Sequence, residues 1–287
     1  MAKETELAYI AGFLDGDGCI TITKHEFDFL DFDEEKWATD VSGVLPMSAY
    51  FSKTTEKGRE FKHQISFVNT DIRPLEFIKK QLSRFLDGLP LDEQQIQIRE
   101  LYGKKYKNNK PIYQLRYGEI AGNIILKKLK PFLKIKKEHA KVVLSNYDVR
   151  KAYNQIHVLN RFVSQIKIED DGVLKETDKA WLAGFFDAEG CVHINKLCYL
   201  VVSISNTNGS AIKYVQKHFG GRIYKHAFVN KRWNSIHKWL IQGVKAKEFL
   251  LDISRFMVLK KDRAIIAATK SGLEARKYLT VANKRGR

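Results

Sequence analysis

A short apolar stretch occurs twice in this chain of 287 residues, and each copy ends in two acidic residues and a glycine. The copies are residues 7–18 (LAYIAGFLDGDG) and 180–190 (AWLAGFFDAEG). Each contains two small residues spaced four apart, Ala8 and Gly12 in the first copy, Ala180 and Gly184 in the second. Residues at this spacing share one helix face, so each copy predicts a helix with a flat side that another backbone can approach. The glycine after the acids suits a left-handed residue that ends a helix.

The last acidic residue of each copy, Asp17 or Glu189, is the candidate for chemistry. If the flat sides face each other, the two helices run side by side and bring both carboxylates to one place. Two carboxylates at the end of a helix pair are typical of a divalent-cation site. One copy alone would predict only a buried helix and a turn, but two copies favour a function. The earlier acids, Asp15 and Asp187, are predicted to stabilise the helix ends rather than to bind metal.

The segments after the two copies repeat each other. Alternating apolar and polar residues predict strands at 19–23 and 61–68 in the first half, and at 191–195 and 199–206 in the second. In both halves the predicted order is helix, two strands, helix, two strands, then further helices. This order predicts an α+β fold with two αββαββα-like domains related by a pseudo-twofold axis through the two copies.

The predicted domains are residues 1–147 and 178–287, joined by a linker at 148–177. The first domain carries an insertion at about residues 25–60 that has no counterpart in the second. Residues 25–40 contain seven acidic residues and one lysine. Because so many carboxylates would repel a polyanion, this run is predicted to lie away from any bound nucleic acid.

The net charge of +17 indicates a polyanionic partner such as nucleic acid. Residues 178–287 hold 21 basic and 7 acidic residues, a balance of +14, which leaves +3 for the rest of the chain. A basic protein that is merely kept in solution by its charge is the alternative. The sequence has no zinc-protease, serine-hydrolase or P-loop pattern that would indicate other chemistry.

The alternation within the strands predicts which side chains face outward. Inward residues are predicted to be Ile20, Ile22, Ile65, Phe67, Ile96, Ile98, Leu115, Tyr117, Val192, Ile194, Val202, Ile204, Ile223, Trp239 and Ile241. Outward residues, predicted to contact DNA, are Thr21, Thr23, Gln64, Ser66, Gln97, Arg99, Gln114, Arg116, His193, Asn195, Ser203, Ser205, Arg222, Tyr224 and Lys238. Their side chains are of the types that contact base edges and phosphates. A sheet face that is simply hydrated is the alternative, and a one-residue slip would exchange the two faces.

Hydropathy and cysteine usage suggest an intracellular protein, in an organelle matrix or a bacterial or archaeal cytoplasm. No apolar run of about 18 residues exists to cross a membrane. The first residues lack the pattern of a secretory signal. The three cysteines, Cys19, Cys191 and Cys198, are predicted to be small buried thiols rather than a disulfide framework. We expect neither a membrane nor a small-molecule cofactor as a partner.

The duplicated motif resembles that of the LAGLIDADG homing endonucleases of the single-chain, two-motif type, and the resemblance covers nearly the whole chain. It implies a monomer whose antiparallel sheets form a concave saddle over double-stranded DNA. The implied activity is a sequence-specific, staggered cut of both strands at a long asymmetric site. The length of the chain, without splicing residues at either end, favours an intron or a free reading frame over an intein.

The resemblance also implies roles for single residues. The backbone carbonyls of Gly16 and Ala188 would be further metal ligands. Two lysines, Lys136 and Lys260, fall where the family uses a lysine to support the transition state or orient solvent, although each alone could be a solvated charge. The polar residues Asp71 and Asn208 match positions that organise water. Mg²⁺ is the expected cation, Mn²⁺ its substitute, and Ca²⁺ is expected to bind without supporting cleavage.

Two other functions fit the same motif. An RNA maturase of this fold would bind an intron and assist its splicing. A DNA-binding regulator would keep the fold without cleaving. The acids retained in both motifs argue against the regulator and only weakly against the maturase.

Overall fold

The computed structural model describes residues 3–32, 51–88, 96–101, 111–145, 149–227 and 234–285. The first half contains α1 (Glu4–Asp17), β1 (Gly18–Phe32), β2 (Phe51–Asn69), α2 (Arg73–Ser83), β3 (Ile96–Glu100), β4 (Tyr113–Tyr117), α3 (Glu119–Leu129), α4 (Lys137–Ser145) and α5 (Val149–Arg161). The second contains α6 (Glu176–Glu189), β5 (Gly190–Ile194), β6 (Leu200–Asn206), α7 (Gly209–Phe219), β7 (Arg222–His226), β8 (Ile236–Gln242), α8 (Val244–Ser254), α9 (Lys261–Thr269) and α10 (Gly272–Arg285).

Each half forms one four-stranded antiparallel sheet, with strand orders β1-β2-β4-β3 and β5-β6-β8-β7. The predicted α+β class and the predicted repeat of elements are confirmed. A 3₁₀ turn at Val163–Gln165 lies between the halves. Among the described helices, none has the combination of length and apolar character that crossing a membrane requires.

The motif helices α1 and α6 pack backbone against backbone. A Cβ atom added to Gly12 would lie 1.9 Å from the carbonyl oxygen of Trp181. One added to Gly184 would lie 1.9 Å from the carbonyl oxygen of Tyr9. The flat faces predicted from the small residues therefore face each other, and only glycine fits at the two closest points.

The glycines that follow the motifs are not left-handed, contrary to the prediction. Gly18 and Gly190 have φ of −101° and −83°, and both are extended. A Cβ on Gly18 would lie 2.3 Å from the Leu14 side chain, and one on Gly190 would lie 2.3 Å from the Phe186 ring. Close packing against the preceding helix turn, rather than a positive φ, is what requires glycine here.

The strands bury the predicted face. The fully covered inward residues include Ile20, Ile65, Phe67, Leu115, Tyr117, Val192, Val202, Ile204 and Trp239. Residues Ile96, Ile98, Ile194 and Ile223 are only partly buried but pack against the same core. The register is therefore the predicted one, and the opposite face of each sheet carries the polar side chains.

The insertion in the first half begins and ends as strand. The backbones of β1 and β2 stay paired as far as Phe32 and Phe51, with one irregularity between Asp28 and Leu30. The two strands therefore form a β-ribbon much longer than the predicted five- and eight-residue strands. Residues 33–50 and the side chains of 25–60 lie outside what the structure describes, so the position of the acidic run relative to DNA stays a prediction.

Two helices extend the internal repeat beyond its predicted end. The predicted linker begins with α5, which buries Ala152 and Ile156. Its Tyr153 ring packs at a tilt against Phe61 of β2, with 5.2 Å between ring centroids. Its counterpart α10, which the sequence analysis did not predict, buries Ala275 and Leu279 at the same spacing. In each half these two helices follow α4 or α9, so each half ends in a matching helix pair.

Candidate active site

The motif helices end side by side, which brings Asp17 and Glu189 together. A Cβ atom on Gly16 would lie 2.5 Å from the Cβ of Ala188 and 3.2 Å from the Cγ of Glu189. Burial raises the pKa of both carboxyl groups, and the charge of Asp17 raises the pKa of Glu189 further. Two half-buried carboxylates that repel each other favour a cation between them.

An asparagine at the end of the second strand orients each of these carboxylates. The Asn69 side chain donates from Nδ2 to Asp17 at 3.0 Å, and its Oδ1 accepts from the backbone N–H of Asp71 at 2.9 Å. The second half repeats this arrangement with Asn206, which donates to Glu189 at 2.7 Å and accepts from the N–H of Asn208 at 2.8 Å. Since the backbone N–H occupies the amide oxygen, the amide NH₂ must face the carboxylate.

The residues chosen from the sequence for the water network, Asp71 and Asn208, have other partners. The Asp71 carboxylate accepts from the Arg73 guanidinium at 2.9 and 3.1 Å and from the Arg73 backbone N–H. The Asn208 side chain is buried, caps α7 through Ala211 N–H at 2.8 Å, and donates to two carbonyls at the 3₁₀ turn. What reaches the carboxylates is the asparagine two residues earlier.

The sequence contained a signal for this asparagine. The second strand of each half ends in Asn-Thr followed by an acid or amide, at 69–71 and at 206–208. Both the first and the third residue of this triplet are polar and repeated. The pattern alone does not decide which of them turns toward the motif helices.

Asp15 and Asp187 stabilise the junction, as expected, and they also join the halves. Asp15 accepts from the backbone N–H groups of residues 134, 135 and 136 at 2.7–3.1 Å, and from the indole N–H of Trp181 at 2.9 Å. Asp187 accepts from the N–H groups of residues 258, 259 and 260 at 2.8–2.9 Å, and from the Tyr9 hydroxyl at 2.9 Å. Each carboxylate is therefore fully used in binding its own half and one aromatic residue of the other.

The lysines that follow these backbone segments return to the ends of the motif helices. Lys136 Nζ donates to the carbonyls of Leu14 and Asp15, both at 2.7 Å. Lys260 Nζ donates to the carbonyl of Phe186 at 2.9 Å and to that of Asp187. A cation at the C-terminus of a helix is stabilised by the helix dipole. Burial lowers the pKa of both lysines, and the surrounding carboxylates oppose this shift.

Each lysine acts more strongly on the metal-site carboxylate of the other half than on that of its own half. The charge of Lys260 lowers the pKa of Asp17 more than Lys136 does, and for Glu189 the order is reversed, although burial dominates in both. A cleft of about 380 Å³ is lined from both halves, by Asp17, Asn69 and Thr70 and by Ala188, Leu259 and Lys260. Lys260 of the second half thus shares this cleft with Asp17 of the first. The site is therefore built from both halves.

Solved structures match this chain over almost its full length. The LAGLIDADG homing endonuclease I-LtrWI bound to target DNA is 15% identical, with a TM-score of 0.53 and 96% of each chain covered. I-SmaMI bound to cleaved DNA is 14% identical, with a TM-score of 0.55 and 98% of this chain and 97% of that chain covered. I-SmaMI bound to an uncleaved target in the presence of calcium ions is 14% identical, with a TM-score of 0.51 and coverage of 95% and 97%. No family model and no curated protein matches the sequence.

This chain has the LAGLIDADG homing endonuclease fold. The predicted resemblance is confirmed at the level of fold over the whole chain. In this LAGLIDADG fold, the two acids at the ends of the motif helices and the polar faces of both sheets form one candidate active surface.

The donors at this LAGLIDADG centre suit a hard divalent cation. Asp17 and Glu189 supply carboxylate oxygens, and the carbonyls of Gly16 and Ala188 lie one residue earlier at the close approach of the two helices. Hard cations such as Mg²⁺ prefer oxygen ligands and keep several waters. Among the described residues there is no cluster of three or more histidine, cysteine or acidic side chains.

Most of the predicted DNA-contacting residues lie on the open face of the sheets. Exposed members are Arg99, His193, Arg222, Tyr224 and Lys238. Half-buried members are Thr21, Thr23, Gln64, Gln97, Gln114, Arg116, Asn195 and Ser205. Several already bond to their own sheet, since Arg99 donates to the Gln114 carboxamide at 3.0 Å and Thr23 donates to the Lys62 carbonyl at 3.1 Å. Contact of this face with DNA stays a prediction.

The predictions for Ser66, Ser203 and Asn195 on this face need correction, and so does the predicted burial of Cys191. Ser66 and Ser203 are each 4% exposed, because they sit on inner strands with a neighbouring strand on both sides. The side-chain oxygen of Asn195 accepts from the backbone N–H groups of Leu197 and Tyr199, so it holds a turn. Cys191 is exposed rather than buried. The alternation gives the face of a residue, but not how much its neighbours cover it.

Proposed function

We propose that this chain is a divalent-metal-dependent endonuclease that makes a staggered cut in both strands of a long, asymmetric duplex DNA site. The observation that carries the proposal is the pairing of Asp17 and Glu189 at the packed ends of α1 and α6. Each carboxylate is held by an asparagine and stands beside a buried lysine. Because one chain contains both halves of the site, a monomer suffices.

The residues divide the work by position. Asp17 and Glu189 would hold Mg²⁺, or Mn²⁺ in its place, together with the carbonyls of Gly16 and Ala188, whereas Ca²⁺ would bind without supporting the cut. When bound, the cation supplies positive charge at the scissile phosphate and lowers the pKa of a coordinated water. Asn69 and Asn206 fix the carboxylates through amide hydrogen bonds. This orientation is set by the protein before any substrate binds.

The two lysines bring positive charge to the place where negative charge develops. The ammonium groups of Lys136 and Lys260 each donate two hydrogen bonds to backbone carbonyls of the motif helices. A lysine has three donors, so one remains for a phosphate oxygen or a water. Burial also lowers the pKa of each lysine, which eases the transfer of a proton at Nζ.

The open sheet faces would bind the duplex. Exposed arginine and lysine side chains such as Arg99, Arg222 and Lys238 would contact phosphates and base edges. The unequal halves, with Asp17 in one motif and Glu189 in the other, fit an asymmetric site whose two strands are cut at unequal rates. This supports an asymmetric site over a palindromic one.

The test is a cleavage assay on a duplex selected by its binding to the protein from a random-sequence library. Asp17→Asn should retain the duplex in a gel shift and abolish linear product in Mg²⁺, since phosphate contacts supply most of the affinity. Glu4→Gln, the same kind of change at the exposed opposite end of α1, is the control and should cut at the wild-type rate. Wild-type cutting by Asp17→Asn would refute the assignment. Binding without cutting by the unmodified protein would favour the non-cleaving regulator.

A further inference from the structure

Cationic side chains from α9 and β8 continue from the candidate active site to the neighbourhood of β5. Lys260 lies at the site, and Arg263 follows one turn later on α9. Burial lowers the pKa of His193 on the open face of β5, and the charges of Lys238 and Arg263 lower it further. The start of α9 therefore lies close to the open face of the second sheet, and the positive charge extends beyond the site toward the end of β5.

The turn after β5 is held by hydrogen bonds and packs against the last helix. Asn195 accepts from two backbone N–H groups of the turn at 2.9 and 3.0 Å, and Cys198 has a φ of 62°. A Cβ atom on Gly272, the first residue of α10, would lie 2.1 Å from the Cys198 carbonyl oxygen. Arg276 Nη1 donates to the Lys196 carbonyl at 3.4 Å. The turn and α10 therefore form one continuous surface.

This surface presents cations and hydroxyl groups to solvent. Five of its exposed side chains, Lys196, Tyr199, Lys270, Lys277 and Tyr278, carry ammonium or hydroxyl groups, and we name these five the flank surface. The exposed Leu197 and Leu273 lie on the same turn and helix. No carboxylate of the described residues lies within 4.0 Å of the ammonium group of Lys196, Lys270 or Lys277. The acid Glu274 accepts from Ser271 at the helix start at 3.0 Å, and the charges of Lys270 and Lys277 act on it more weakly than that bond does. No direct ion pair therefore holds the three lysines, and their ammonium groups can reach an external anion.

Lysine and tyrosine donors beside the sheet that is proposed to bind the duplex fit a phosphate backbone, because such contacts need no base sequence. We propose that the flank surface binds the phosphate backbone of duplex DNA beyond the part covered by the second sheet. The proposal rests on the proposed function, and it lengthens the bound DNA on one side only. The equivalent turn in the first half is replaced by the long β1–β2 ribbon.

The test compares a duplex trimmed to the shortest length that is still bound with versions lengthened by about 10 bp, one helical turn, on either flank. The unmodified protein should bind one extended version more tightly and gain nothing comparable from the other. Lys270→Ala with Lys277→Ala should lose this gain. For two phosphate contacts, counterion release predicts a loss of about 30-fold at 0.15 M salt and a salt slope smaller by about 1.8.

The matched control is Lys79→Ala with Lys80→Ala, which removes two exposed lysines from α2. It should keep the gain from the extended duplex, and both variants should melt as the unmodified protein does. Failure of the unmodified protein to bind any duplex from the selection would refute the proposed function itself. Binding of the short duplex with no gain from either extension, or the same behaviour of the two double variants, would refute the flank surface alone.

Discussion

The two halves of the molecule share one set of hydrogen bonds around the site and differ in what surrounds it. In both, a buried aspartate accepts three backbone N–H groups, a lysine returns to the helix end, and an asparagine orients the last acid. The halves differ in the acid itself, Asp17 against Glu189. They differ again where His139 in the first half corresponds to Arg263 in the second. Groups that bind backbone are the same in both halves because their geometry is fixed, whereas the acid at the site and the buried residue at position 139 or its equivalent differ.

The close approach of α1 and α6 involves one glycine from each half. Disrupting it should lower the free energy of unfolding more than any other change considered below. Gly12→Ala and Gly184→Ala should each lower the free energy of unfolding by at least about 3 kcal/mol, because the new methyl group meets backbone. Chemical denaturation followed by circular dichroism measures this. If the halves are equivalent, the two changes should cost similar amounts.

Gly122→Ala is the control for this comparison. It lies inside α3, where an added Cβ has no neighbour closer than 3.6 Å. Alanine should therefore stabilise the protein by about 0.5–1 kcal/mol through its helix propensity. A Gly12→Ala variant as stable as the Gly122→Ala variant would contradict the close approach of the two helices.

The next largest effect concerns a difference between the halves, the buried His139. Burial, and then the charge of Lys136, lowers the pKa of His139 to about 4. Between pH 6.5 and pH 4 the folded protein therefore binds fewer protons at this histidine than the unfolded chain does. The free energy of unfolding is thus highest above pH 6.5 and decreases as the pH falls. The loss amounts to about 3 kcal/mol at pH 4.

Urea denaturation at a series of pH values measures this effect. His139→Gln should make the dependence between pH 7 and pH 4 shallower than in the unmodified protein. Some dependence should remain in the variant, because burial also lowers the pKa of His63. The same pH dependence in the variant and the unmodified protein would contradict a neutral His139.

A smaller effect is expected from the hydrogen bonds that cross between the halves. Tyr9→Phe removes the hydroxyl that donates to Asp187 at 2.9 Å. Loss of one hydrogen bond to a buried carboxylate should cost about 2 kcal/mol. Tyr117→Phe is the control, because its buried hydroxyl has no hydrogen-bond partner among the described residues. It should be neutral or stabilising, and an equal cost for both changes would refute the cross-half bond.

The smallest effect in free energy should appear in the rates of strand cleavage. Asn69→Ala frees Asp17 and Asn206→Ala frees Glu189, so each should slow one strand by about tenfold, or about 1.4 kcal/mol. Nicked intermediates on a denaturing gel show which strand lags. Asp71→Ala is the comparison, since its carboxylate pairs with Arg73 rather than with the acids. Equal slowing of both strands by either asparagine change would contradict separate roles in the halves.

Much of this arrangement could be predicted from periodic patterns. The spacing of small residues around Gly12 and Gly184 predicted the helix contact, and it thereby placed Asp17 beside Glu189. The alternation in the strands predicted their buried face, because side chains in a strand alternate strictly and one face must be covered. These features depend on residues close in sequence, and the repeat supplied each of them twice.

The tertiary structure alone decided which groups meet. Asp15 binds backbone about 120 residues away, and Tyr9 reaches Asp187 across 178 residues. No local pattern predicts such a pairing, since a hydrogen bond forms only when two separate elements are placed to within a few tenths of an ångström. For the same reason Asn69 and Asp71, two polar residues at one strand end, could not be distinguished until the strand was placed against the motif helix. The sequence by itself determined that two acids would meet, and the packing of the two halves decided which side chains hold them there.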